Sequence, residues 1–260
     1  MILDDIVQSK YKEIASIKQH LGLGKIAEVL KELPNTRDFT SAIKKKKMTL
    51  IAEAKKASPS AGIIVDDYHP EKIAIEYSDA GVSAISVLTE QKNFMGFVTD
   101  LKKVKEHVNL PILRKDFIVD ETQLYHTRLS FADAVLLIVR ILDKKKLKKF
   151  IKLSEELLLH SLVEVHTPDE AKMALDAGAE MIGINNRDLD TLEVDIRNTE
   201  KIIKKVPALK KKVLVSESGI KTGKDVKFLA ELGVNSILVG EALLKSGDIK
   251  AKVKELLGAS

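Results

Sequence analysis

The chain has no cysteine among its 260 residues. That excludes a disulfide framework, a Cys-ligated zinc or iron–sulfur site and a thiol nucleophile. It has no tryptophan, and aromatic residues make up 4% of it. The stacking platforms that grip single-stranded nucleic acid are therefore scarce. No apolar run reaches 18 residues, so a membrane span is not expected. Met1-Ile2-Leu3-Asp4-Asp5 lacks the basic start of a secretion signal, and a soluble cytoplasmic protein is the expectation. Six prolines and 13 glycines do not make a linker-rich chain.

What the chain does have is charge and a repeating apolar pattern. Its 43 Lys+Arg against 38 Asp+Glu give a formal net charge of +5, and six of the 43 are arginine. Lysines cluster at 44–47, 144–149 and 204–212. A cluster of this kind can be a nucleic-acid footprint. With so few aromatics, solvated helix and loop surface is the better reading, and no nucleic-acid partner is expected. A modest positive balance also suits a small anionic substrate.

From residue 49 onward a short apolar run, a polar junction and an amphipathic stretch alternate. The runs are Thr49–Ala54, Ala84–Thr89, Pro111–Lys115, Ala132–Ile138, Ser161–Val165, Met181–Asn185, Val213–Ser216 and Ser236–Gly240. Most are apolar at successive positions, as parallel strands buried on both faces read. Helix punctuation fills the gaps. Pro70 opens one helix; Thr167-Pro168-Asp169-Glu170 offers an N-cap, a first-turn proline and an acid three residues on; Thr222 opens a third. Gly81, Gly178 and Gly233 stand where a left-handed residue ends a helix before the next strand. Phe131 occupies the equivalent joint before the fourth strand. A left-handed phenylalanine costs about 1 kcal/mol or more, so that loop is expected to be built differently.

Eight such units imply an α/β fold, a single (β/α)8 TIM barrel. A doubly wound open sheet would want a G-x-G-x-x-G loop after the first strand, which is missing. Ile2–Ile17 and Lys25–Leu33 have helical spacing around Gly22 and Gly24, and read as extra helices capping one end of the barrel. Residues 1–260 are expected to form one domain, with 1–48 as a helical extension and 49–260 as the barrel.

Active sites of such barrels lie at the C-terminal ends of the strands. There the chain places Glu53 and Lys55, Thr89-Glu90, Arg114-Lys115-Asp116, Glu164 and His166, Asn185-Asn186-Arg187-Asp188, Ser216-Glu217-Ser218-Gly219, and Gly240-Glu241. Charged groups in buried strands are costly unless paired or used, so this many at one end favours a polar site. Gly219 and Gly240, after strands seven and eight, and Ser58 in Ser58-Pro59-Ser60-Ala61-Gly62 favour a bound phosphate. No His/carboxylate spacing supports a metal site. Lysines and glutamates suit general acid–base catalysis, and a Schiff-base lysine stays open.

The strand-end segments carry a resemblance. Ile51-Ala52-Glu53-Ala54-Lys55-Lys56-Ala57-Ser58-Pro59-Ser60 resembles the first-strand motif of indole-3-glycerol-phosphate synthases. Ile85 to Glu90 with Phe94 and Gly96, Pro111 to Ile118, Leu162 to His166, Gly183 to Leu189, Ser216 to Ile220 and Leu238 to Leu243 continue the likeness in order. It covers most of the chain and is weakest in residues 1–48. The resemblance implies a cofactor-free, metal-free ring closure of 1-(2-carboxyphenylamino)-1-deoxyribulose 5-phosphate, with loss of carbon dioxide and water, in tryptophan biosynthesis.

By matched position it implies Lys115 as the general acid at the ribulose carbonyl, with Lys55 assisting near the substrate carboxylate. Glu164 and Glu53 would handle the proton transfers of dehydration. Asn185, Arg187, Ser218 and Glu217 would bind substrate, Phe94 and Phe117 would wall its aromatic ring, and Ser58, Gly219, Gly240 and Glu241 would hold the phosphate. Two neighbouring lysines are expected to lower one another's pKa. The implied partner is a small phosphorylated anion, and a monomer is expected. Ala54, Phe97 and Phe131 depart from the family pattern. The neighbouring phosphoribosylanthranilate isomerases use a cysteine base that this chain lacks.

Overall fold

The computed structural model describes residues 2–20 and 23–258. Eight parallel strands close into a barrel: β1 (Thr49–Ala54), β2 (Ala84–Leu88), β3 (Ile112–Lys115), β4 (Ala134–Ile138), β5 (His160–Val165), β6 (Met181–Asn185), β7 (Val213–Glu217) and β8 (Ser236–Val239). β1 closes the ring, pairing Thr49 with Ser236 on one side and Ile51 with Ala84 on the other. Every apolar run of the sequence is a strand, because strands covered on both faces need apolar side chains at odd and even positions alike.

Alternation divides those side chains between two layers. Ile51, Leu113, Leu162, Met181, Val215 and Leu238 fill the barrel, closed at its base by Phe39 and Ile43. Leu50, Ala52, Ile85, Ile112, Val163, Leu214 and Ile237 pack outward against the helices. Glu53, Lys115, Glu164 and Glu217, each two residues beyond an inward apolar side chain, and Asn185, four beyond Met181, continue the inward rows at the C-terminal end. The barrel thus passes from an oily floor to a charged mouth within one strand length.

The helix joints follow the residue chemistry. Thr167 accepts from the Glu170 amide with Pro168 in the first turn, and Thr222 with Asp225 makes a reciprocal capping box. Gly81, Gly178 and Gly233 all have positive φ, at 84°, 95° and 85°. A side chain at any of them would meet nothing within 4 Å, so backbone conformation alone asks for glycine. Phe131 corrects the expectation for its joint. Its φ is 64°, so the chain keeps the same turn and carries the strain instead of rebuilding the loop.

The N-terminal extension also differs from expectation. Helix Ile2–His20 starts at the catalytic end, where Leu3 and Ile6 reach the mouth, and runs down beside helix Glu121–Leu129. Lys10 pairs with Asp116 and Lys18 with Asp120, both at 2.8 Å. Helix Leu23–Glu32 continues the descent and contains Gly24; Gly22 lies outside the described residues. Arg37 then donates to the Val108 and Leu110 carbonyls, and the short helix Phe39–Ile43 plugs the base. The extension therefore serves both ends of the barrel. Among the described residues no helix is long and apolar enough to cross a membrane.

Candidate active site

A cavity of about 1260 Å³ opens at the C-terminal ends of the strands. It is lined by Glu53, Lys55, Ser58, Phe94, Lys115, Phe117, Glu164, Asn185, Arg187, Glu217, Ser218, Gly219, Gly240 and Glu241, so all fourteen residues singled out above meet there. Leu3, Ile6, Leu189, Leu192, Val194 and Ile196 add apolar wall that the sequence did not announce.

Lys115 is the centre of the charge arrangement. Its Nζ lies 3.1 Å from Glu164 Oε2 and 3.5 Å from Glu217 Oε2. Burial alone would push the ammonium down, but the surrounding carboxylates of Glu164, Glu217 and Glu53 outweigh it and hold Lys115 above the ordinary lysine value. This corrects the expected effect of Lys55. The Lys55 ammonium is occupied 2.8 Å from Glu53 Oε1, and Lys115 is governed by carboxylates.

The two glutamates beside Lys115 separate. Glu164 is fully buried, which would raise it, yet Lys115 and His166 hold it well below the carboxylate range. Glu217 is pushed up to about 8 by burial and by the Glu164 charge, against the pull of Lys115. Glu164 has both Lys115 and His166 beside it, whereas Glu217 has only the more distant share of Lys115, so Glu217 is the one that keeps a proton near neutral pH.

Backbone glycines make room for this cluster. A Cβ on Gly183 would stand 2.1 Å from Glu217 Oε1. One on Gly240 would lie 2.9 Å from Glu53 Oε1 and 3.1 Å from the Glu53 carbonyl oxygen. Gly219 has φ of 80° and follows Ser218, itself left-handed at 66°. Ser218 Oγ donates to Asn185 Oδ1 at 2.8 Å, and the same oxygen accepts from the Arg187 amide at 3.0 Å. Asn185 thereby fixes two neighbouring loops.

The loops over the mouth are ordered by their own polar groups. Ala57–Ser58 pairs with Gly62–Ile63 as a minimal hairpin, and Ser58 Oγ accepts from the Ala61 amide at 3.2 Å. Buried Glu90 accepts from the amides of Lys92, Asn93 and Phe94, shaping the turn that presents Phe94. The Phe94 and Phe117 rings lie 6.3 Å apart at 37°, a tilted aromatic pair that gives the cavity an apolar surface. Glu241 pairs with Lys245 at 2.8 Å, so its side chain turns toward a cation of its own and only its backbone is left for an anion.

Thr89, Glu90, Arg114 and Asn186 do not enter the cavity lining, although Asp116 does. Arg114 points outward into the helix layer, fully buried, and its guanidinium pairs with Asp116 at 2.8 Å. Thr89 and Lys10 complete that network on Asp116, whose carboxyl is held near 2 by Arg114 and Lys10 despite burial. Asn186 binds Ser216 and Thr199 behind the opposite wall. Strand alternation carries the signal for Arg114, because residue parity puts it opposite to Lys115. Among the described residues, no group of three or more His, Asp or Glu could hold a metal ion.

Comparison with known proteins places this geometry. The family model for indole-3-glycerol phosphate synthase matches residues 3–256. An indole-3-glycerol phosphate synthase of Dehalococcoides mccartyi is 46% identical over 99% of this chain and 100% of its own length. That of Alkaliphilus metalliredigens is 43% identical over 98% of both chains. Among solved structures, a thiamine phosphate pyrophosphorylase from Pyrococcus furiosus aligns with a TM-score of 0.58 at 18% identity, covering 84% of this chain and 96% of that one. A chain of the tryptophan synthase complex from the same organism aligns at 0.61 and 16%, covering 81% and 98%. These two show the fold alone. The chain itself belongs to the indole-3-glycerol phosphate synthase family.

Proposed function

We propose that this chain closes the indole ring of 1-(2-carboxyphenylamino)-1-deoxyribulose 5-phosphate, releasing carbon dioxide and water. The carrying observation is the Lys115 ammonium held among Glu164, Glu217 and Glu53 at the floor of the cavity. Family membership supports the substrate class.

The substrate has two anionic ends and an aromatic ring between them. Phe94 and Phe117 take the ring, with Asn185 and Arg187 orienting it and Lys55 facing its carboxylate. Amides around Ser58, Gly219, Gly240 and Glu241 take the phosphate. Ser218 and the protonated Glu217 hold sugar hydroxyls.

Lys115 then gives a proton to the ribulose carbonyl oxygen as the ring carbon bearing the carboxylate attacks the carbonyl carbon. Carbon dioxide leaves, and its bonding pair restores the aromatic ring. Glu164 and Glu53 exchange the protons of dehydration, by which the new hydroxyl departs as water and the pyrrole double bond forms. An ammonium and carboxylates supply both acid and base, so the proton transfers need no cofactor. A Schiff base would need a neutral amine at Lys115, which its carboxylates oppose.

The enzyme works in this reading as a cytoplasmic monomer, with residues 1–48 and 49–260 as one domain. The test is direct. Purified protein mixed with the substrate should develop indole fluorescence, and its absence at micromolar enzyme would overturn the assignment.

A further inference from the structure

His166 is buried just past the end of β5, and no step above uses it. Its Nε2 lies 3.3 Å from Glu164 Oε1, and its Nδ1 lies 3.3 Å from Glu170 Oε2. The Glu170 carboxylate is in turn fixed by the His166 backbone amide, which donates to the same Oε2 at 2.6 Å. Glu170 belongs to helix Pro168–Ala177, and the remaining side chain recorded against His166, Asn198, donates to its carbonyl at 3.1 Å. The charged groups facing the ring are thus Glu164 on its own strand and Glu170 on the next helix. Lys115 stands on the far side of Glu164.

We propose that His166 is a positioning residue for Glu164: its ring bridges Glu170 to Glu164 Oε1 and so fixes the plane of the carboxylate whose other oxygen, Oε2, faces Lys115. Each oxygen of Glu164 has its own cation, so the carboxylate cannot rotate without losing one. Nδ1 hydrogen-bonds Glu170, while Nε2 is buried 3.3 Å from Glu164 Oε1 and, among the described residues, has no hydrogen bond of its own, so the contact to Glu164 is an ion pair that favours the imidazolium. Burial opposes that charge, but the two glutamates outweigh it and raise His166 to about 9. Glu170 acts here only through His166. It gives up the reciprocal half of a capping box, since its carboxylate reaches the residue before the Thr167 cap.

The inference rests on the proposed activity for its kinetic readout and is independent of it for its spectroscopic one. Long-range ¹H–¹⁵N spectra of the whole protein, with His166→Gln assigning the signal, should show both ring nitrogens protonated at pH 7.5 and a midpoint near 9. In Glu170→Gln that midpoint should fall toward the ordinary 6.5. Should the wild type make no indole product, the activity reading fails while the spectra still decide the bridge.

In the assay, His166→Phe should lower kcat by about 10²-fold with KM changed far less, as misplacing a reacting group by about 1 Å can do. His166→Gln keeps a donor toward Glu164 and should recover much of that loss. Glu170→Gln guards against a misfolded Phe variant: relative to the wild type its kcat should drop between pH 6 and pH 8, where only the variant's ring has lost its proton. A neutral His166 ring at pH 7.5, or a Glu170→Gln to wild-type ratio that does not change with pH, would overturn the bridge.

Discussion

Glu217 lies behind Lys115, with Oε2 3.5 Å from the ammonium and, among the described residues, neither oxygen in a hydrogen bond. Lys115 stands closer to Glu164, at 3.1 Å. The cation is thus shared unequally, and the more distant carboxylate is the one raised to about 8. Between the ordinary carboxylate value and about 8 the folded chain keeps a proton that the unfolded chain has lost. Folding stability therefore declines as pH rises through that window. Glu217→Gln should remove the slope. Thermal melts should show the variant gaining on the wild type from pH 5 to pH 8, by several kcal/mol at the upper end, while kcat falls. Parallel stability profiles would place the proton elsewhere.

The protonated Glu217 also sets an alkaline limit on the rate. Wild-type kcat/KM should decline above about pH 8, well before Lys115 deprotonates. Lys55→Met should leave that limb in place, because Lys55 is paired with Glu53 and does not govern Lys115. An upward move of the limb in this variant would restore lysine–lysine coupling as its cause.

Lys115→Ala should cost about 10²–10⁴-fold in kcat, the usual loss with a general acid. Here it also takes from Glu164 and Glu217 the ammonium they share, leaving only Lys55 on Glu53 and His166 on Glu164, so activity and stability change together. Lys115→Arg keeps the charge but not the point-like ammonium. It should restore stability without restoring turnover. A variant in which turnover returns with stability would reduce Lys115 to a counter-ion.

Most of the barrel was legible because its strands need apolar residues on both faces, and that demand writes continuous runs into the chain. The mouth was legible for the same reason in reverse: Glu53, Lys115 and Glu164 are expensive in such runs unless used. The helix at the N-terminus was legible as well, but its course from the mouth down the barrel was not. An amphipathic pattern states that Ile2–His20 has a buried stripe, but Lys10 finds Asp116 only through tertiary packing. The left-handed turn at Phe131 is not legible in the sequence, because its local cost argues against it while the rest of the barrel fixes where the chain must go. Pairing between Lys55 and Glu53, two residues apart on one face, could have been anticipated from strand parity.

Lys10→Met tests the tie between the extension and the site. The lysine is 1% exposed and its partner Asp116 is buried with Arg114. Removing one member of a buried ion network costs about 3–5 kcal/mol, though Arg114 and Thr89 still serve Asp116 and should bring the loss to the lower end. Limited proteolysis should cut the first helix faster than the barrel. Uniform cleavage along the chain would mean that this contact does not hold the helix.

The glycines beside the glutamates separate fold from function. A methyl group on Gly183 meets only the far end of the Glu217 side chain, which can swing aside. Gly183→Ala should therefore keep a near-normal melting temperature and lose kcat. On Gly240 the methyl meets the Glu53 backbone oxygen at 3.1 Å as well as its side chain, and neither backbone can yield inside a closed barrel. Overpacking of that kind costs about 1–3 kcal/mol, so Gly240→Ala should lose stability as well as activity. Leu158→Gly supplies the opposite control. Leu158 is 52% exposed with φ of 61°, so glycine there relieves strain while sacrificing little packing. The relief of about 1–2 kcal/mol exceeds the unfolded-state entropy that glycine adds, about 0.4–1 kcal/mol. Urea midpoints should thus rise for Leu158→Gly, hold for Gly183→Ala and fall for Gly240→Ala, and kcat should fall only in the last two. A Gly183→Ala enzyme with full kcat would show that Glu217 tolerates displacement, and with it the proposed use of its proton would fail.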